Sequence, residues 1–158
     1  MPIKLESYPF KLYSRQIEEN NYELLYSHLK EVGETSKKIV MEKKIQDQTT
    51  LSEVAYLVGI AHDFGKGTTF FQLYLTKHVK TEKTWHGPIS SIFGYYLVKE
   101  YLKIKGKPKS LTLKGRLPFY VWLAILRHHG DIKDVLGTEG ELERLKKLGE
   151  ILSCQVED

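Results

Sequence analysis

The 158-residue sequence contains a single cysteine, Cys154. That excludes an internal disulfide and a cysteine-ligated zinc site, and makes a reducing, cytoplasmic setting the expected one. Long apolar runs are missing too. None approaches the roughly 20 residues needed to cross a bilayer, so no membrane partner is expected. The opening Met1-Pro2-Ile3-Lys4-Leu5-Glu6 lacks the apolar stretch of a secretory signal. No repeat, low-complexity tract or Pro/Gly-rich linker divides the chain, which predicts one domain over residues 1–158. Charge of one sign is barely in excess: 24 Lys plus Arg stand against 20 Asp plus Glu, a formal +4. That balance admits a nucleic-acid or nucleotide substrate without requiring one. Alternation at period two is not sustained anywhere, which argues against a sheet.

What the sequence does have is helical periodicity over 41% hydrophobic content, enough for one core. Leu24, Leu25, His28, Val32, Thr35 and Ile39 recur at helical spacing and predict a first long helix over about 22–45. Leu51, Val54, Val58 and Ala61 predict a second over about 51–64, with Thr50 or Ser52 as its cap and Gly65 with Gly67 ending it. Phe70, Phe71, Tyr74 and Leu75 suggest a short third. Pro88 opens a fourth, its buried side carrying Ile89, Ile92, Phe93, Tyr96 and Leu97. Pro118 opens a fifth, running to His128-His129 with Gly130 as its stop. An amphipathic segment over about 139–152 ends the series, and Lys109–Leu117 is at most a small hairpin. The fold class is all-α.

Five of the six histidines stand at helix ends or inside apolar stripes. His28 lies on the inner stripe of the first helix, His62-Asp63 closes the second, His86 precedes Pro88, and His128-His129 closes the fifth. His78, among Lys77 and Lys80, reads as surface. Neutral imidazole and carboxylate suit first-row divalent metals. Adjacent helical residues project about 100° apart, so His62 and Asp63 can serve two metals or one metal from two sides. A carboxylate between two cations about 3.5–4 Å apart bridges them, and such a pair activates water and holds a phosphate. Lys66 follows Asp63 by three residues and shares its face, where an ammonium would offset charge on a phosphoryl oxygen. Taken singly, each histidine is as easily a hydrogen-bonded core residue or a helix C-terminus; the combination points to a site. Gly59–Gly67 only superficially resembles a phosphate-binding P-loop, because the spacing is wrong and Gly67 replaces Ser/Thr.

The ordered set His28, His62-Asp63-Phe64-Gly65-Lys66, His86 and His128-His129-Gly130 resembles the HD superfamily. Within it, the set is most similar to the HD nuclease of the CRISPR type I helicase–nuclease, including versions where the nuclease is a separate polypeptide. The resemblance covers about residues 22–131. It implies an all-α HD bundle with a metal centre between helices, one or two divalent ions (Mn, Mg, Ni, Co or similar) and no nucleotide cofactor. By the same resemblance His28, His62, Asp63, His86, His128 and His129 are metal ligands, with Asp63 bridging and Asp63 and Lys66 catalytic. The implied reaction is hydrolysis of single-stranded DNA in antiviral defence. The implied partners are a separate helicase subunit and an RNA-guided surveillance complex. Lys103, Lys105, Lys107 and Lys109 form a basic loop that could contact DNA phosphates. The family also supplies a further Asp well downstream of the doubled histidine. Asp131 and Asp134 lie too close to His129 to be obvious equivalents, and Asp158 is the last residue. Two alternatives share the scaffold: a nucleotide phosphohydrolase, and a weakened HD domain that binds a partner.

Overall fold

The computed structural model describes residues 11–105, 115–129 and 140–157, with the backbone alone over 140–147. It opens on an element that the sequence reading did not anticipate. β1 (Tyr13–Glu18) pairs antiparallel with β2 (Asn21–Leu24), with Arg15 opposite Glu23. The turn between them places Asn20 at φ 60°, a left-handed conformation that asparagine tolerates. Alternation was invisible because the inward residue of β1 is a serine: Ser14 is 2% exposed, whereas Ile17 is 57% exposed.

Helix α1 (Leu25–Met41) therefore starts at Leu25 rather than near residue 22 and stops short of residue 45. After a short link, α2 (Gln48–Ala61) begins behind Asp47, itself left-handed. Thr50 and Ser52 lie inside this helix instead of capping it, and the Ser52 hydroxyl donates to the Thr49 carbonyl at 2.8 Å. α1 and α2 approach unusually closely. A methyl group on Gly59 would lie 2.6 Å from the Gly33 Cα and 2.7 Å from its nitrogen, so backbone packs directly on backbone.

Gly65 and Gly67 do not end α2; they belong to a 3-10 turn, Phe64–Gly67, that follows it. The Thr68 side chain caps α3 (Thr69–Lys77), and His78 closes it at φ 56° as an exposed residue, in line with the surface reading. α4 (Gly87–Lys105) places Pro88 in its first turn. Lys103 and Lys105 sit in its last turn, not in a loop, while Lys107 and Lys109 fall outside the described residues. α5 (Leu117–Leu126) ends before His128-His129, which occupy the turn after it. α6 (Gly140–Glu157) runs past the expected end near 152. The proposed Lys109–Leu117 hairpin, Gly130, Asp131, Asp134 and Asp158 lie outside the described residues, except that Leu117 opens α5.

The core gathers Val54 and Ala61 from α2, Val98 and Leu102 from α4, and Leu117, Val121 and Ile125 from α5. Each such side chain contributes roughly 1.5–3 kcal/mol by leaving water. Gly94 lets α5 close on α4, because a methyl group there would strike Ile125. The helices thus meet with the end of α2, the start of α4 and the end of α5 converging. Among the described residues, no helix is long and apolar enough to cross a membrane.

Candidate metal centre

At that convergence sits Asp63, 2% exposed. The α2 helix has just ended at Ala61, and Asp63 (φ −114°, ψ 17°) starts the 3-10 turn, its carbonyl accepting from the Lys66 N–H at 3.0 Å. Its two carboxylate oxygens face different neighbours. Oδ2 lies 3.2 Å from His28 Nε2, 3.1 Å from His62 Nε2 and 2.7 Å from Lys66 Nζ. Oδ1 lies 2.9 Å from His86 Nε2, 3.2 Å from His128 Nε2 and 3.7 Å from His129 Nε2. All six residues expected from the sequence, and Lys66, therefore meet at one carboxylate. Lys103 is not among them: it is about 25 Å from His86 along the α4 axis, counting 1.5 Å per residue. It pairs instead with Glu100.

Local folding explains the convergence. His62 and His128 follow the last turns of α2 and α5, where helical carbonyls lack intrahelical partners. The His62 Nδ1–H donates to the Gly59 carbonyl at 2.6 Å, and the His128 Nδ1–H to the Ile125 carbonyl at 2.6 Å. His86 is placed by Gly65, whose added methyl would lie 2.6 Å from the His86 carbonyl oxygen and strike Ile89. The Gly65 N–H donates to the Ser90 hydroxyl at 2.9 Å, joining the 3-10 turn to α4.

The donor chemistry fits a divalent cation. A carbonyl can only accept, so the proton of neutral His62 and His128 lies on Nδ1 and the Nε2 lone pair faces a carboxylate oxygen. His86 Nε2 and His129 Nε2 stand 3.0 Å apart, two ring nitrogens aimed at each other. Lone pairs gathered this way repel one another unless a proton or a metal lies between them, and imidazole and carboxylate are the ligands such metals prefer. Two sets of ligand atoms, each within 4.8 Å of one another, share the carboxylate: Asp63 with His86, His128 and His129, and Asp63 with His28 and His62. Burial pushes the Asp63 carboxyl up, but hydrogen bonds with His128, His62, His86 and Lys66 outweigh that and hold it well below the usual carboxylate range. Burial pushes the His86 imidazole down, against the pull of Asp63, which favours the neutral ligand form.

A match to the HD domain family spans residues 25–153. The chain belongs to that family. No curated protein and no solved structure matches it. HD domains are helical, divalent-metal-binding phosphohydrolases, and the Asp63 cluster has the donor set that such a metal site requires.

Three contributors to the site went unnoticed in the sequence. Glu23 places Oε2 3.2 Å from His28 Nδ1. Gln72 donates to the Lys66 carbonyl at 2.6 Å. Gln155, 4% exposed, donates to the carbonyls of Lys83 and Trp85 and so holds the segment leading into His86. None carries a type or spacing that marks it. Only Glu23, five residues before His28 and acidic, offered any hint.

Proposed function

We propose that this HD domain is a nuclease that hydrolyses phosphodiester bonds of single-stranded DNA in CRISPR interference, beside a separate helicase subunit and an RNA-guided surveillance complex. The observation that carries the reading is the division of Asp63: three imidazoles on Oδ1, and two imidazoles plus the Lys66 ammonium on Oδ2. The order of these groups along the chain resembles that of the helicase-associated HD nucleases, beyond the HD dipeptide alone. One or two divalent ions bound there supply an activated water and positive charge for phosphoryl oxygens.

The chain's own groups have separable tasks. Asp63 ties the two halves together, and the surrounding histidines would hold the ions. Lys66 Nζ, 12% exposed on its side chain and 2.7 Å from Asp63 Oδ2, would offset negative charge developing on a phosphoryl oxygen. His129 has 59% of its side chain exposed and marks the open flank by which an extended backbone reaches the centre.

The test is cleavage of single-stranded DNA with Mn²⁺, Mg²⁺ or Ni²⁺, with Asp63→Ala as control. Cleavage that disappears in Asp63→Ala is expected, and cleavage equal in both proteins sinks the assignment. Hydrolysis of a deoxynucleoside triphosphate or cyclic nucleotide without DNA cleavage would replace the substrate by a nucleotide. A protein that stays metal-free at saturating Mn²⁺ or Ni²⁺ would make it a partner-binding module.

A further inference from the structure

An imidazole presents its Nε2 lone pair to the carboxylate when its proton is held on Nδ1, and His28 cannot obtain this as His62 and His128 do. His62 and His128 use the carbonyl three residues earlier, which lies in the last turn of a helix and is open to a side-chain donor. His28 is in the first turn of α1, where the carbonyls already accept from the helix's own N–H groups.

A carboxylate stands where the carbonyl is missing. Glu23 Oε2 is 3.2 Å from His28 Nδ1, and His28 Nε2 is 3.2 Å from Asp63 Oδ2. The carboxylate is itself fixed: the Ser14 hydroxyl donates to Oε2 at 2.6 Å, and Arg15 Nε lies 3.1 Å from the same oxygen. Arg15 is 66% exposed, and an exposed ion pair alone is worth little. Ser14, at 2% exposed, distinguishes this arrangement from a surface pair. Glu23 lies on β2, before the span that matches the family. The hairpin is clipped to the turn bearing Lys66 by Gln72, whose amide donates to the Tyr13 carbonyl at 2.8 Å and to the Lys66 carbonyl at 2.6 Å.

We propose that Glu23 is a positioning residue that holds the His28 proton on Nδ1 and so turns the Nε2 lone pair toward the metal site. The proposal rests on the reading of His28 as a ligand. Outer carboxylates of this kind change metal affinity by about 10–100-fold when removed.

The test uses the full chain as wild type, Glu23→Ala, Glu23→Gln and His28→Ala. Ring-nitrogen NMR shifts of His28 in the metal-free protein report the tautomer, and Co²⁺ titration by calorimetry reports affinity. Wild type is expected to carry the proton on Nδ1. Glu23→Ala is expected to move it to Nε2 and to weaken Co²⁺ binding by about 10–100-fold. Glu23→Gln, whose amide oxygen still accepts from Nδ1, is expected to keep the tautomer and most of the affinity. A proton that stays on Nδ1 in Glu23→Ala overturns the proposal. A moved proton with Co²⁺ binding unchanged, in Glu23→Ala and His28→Ala alike, supports the positioning and overturns the ligand reading instead.

Discussion

At the scale of single residues, Lys66 occupies a contested position. Its ammonium is 2.7 Å from the same oxygen, Oδ2, that His28 and His62 face. A cation bound by those two histidines and a lysine on that oxygen repel each other, yet the lysine supplies charge that a phosphoryl oxygen needs. Replacing Lys66 by Met should thus separate the two effects. Metal affinity should rise or hold, while turnover should fall about 10²-fold, the usual consequence of losing one donor to a developing oxyanion. Paired metal titration and single-turnover kinetics check this, and a parallel loss of both would show Lys66 to be structural. No single histidine marks the centre, but five of them at helix ends and on an inner stripe, in order around His62-Asp63, made the cluster legible as a combination. Glu23, Gln72 and Gln155 were not, because glutamate and glutamine are ordinary surface residues until a fold turns them inward.

At the scale of elements, the α1–α2 contact decides whether His28 reaches Asp63 at all. Gly33 and Gly59 let two backbones touch, and nothing flexible stands between them to yield. Gly59→Ala should push the helices apart and cost about 1–3 kcal/mol, the range for overpacked cores. Chemical denaturation measures that loss, and metal affinity should fall alongside it because His28 moves with α1. A stability equal to wild type would show that the helices shift at no cost. The 3.6-residue period made the presence of α1, α2, α4 and α5 readable, with errors of a few residues at their ends. It misread the inner face of α4, where Ser90, Ser91, Gly94 and Val98 are buried while Ile92 and Tyr96 are exposed. The helix ends depended on features that no periodicity carries: a left-handed Asp47, and a 3-10 turn where a helix stop was expected. The hairpin stayed hidden because its inward side is polar, Ser14 bonded to Glu23, and so lacked the apolar alternation that announces a strand.

For the molecule as a whole, the centre joins parts of the chain that are far apart in sequence. His28 and His129 enclose a hundred residues between them, and the first turn of α1, the end of α2, the residue before α4 and the turn after α5 all converge on one carboxylate. A ligand that binds only the folded state stabilises it by mass action, about 2.7 kcal/mol at 100 times Kd. For a chain of this size that corresponds to a rise in Tm on the order of 5–10 °C. Adding Mn²⁺ or Co²⁺ to metal-free protein should produce such a rise, and the same addition to Asp63→Asn should not. Differential scanning calorimetry decides it, and equal shifts in both proteins would place the bound ion elsewhere.

The division of Asp63 between two oxygens also bears on how such a centre can change over generations. Loss of any one histidine removes a donor from one half and leaves the other half its full set. Activity can therefore decline by steps, each open to repair by a later substitution. Asp63 offers no such gradation, because both halves share it, and a single codon change there removes them together. A lineage can adjust the strength of this centre through its histidines, but only one position can switch it off at a stroke.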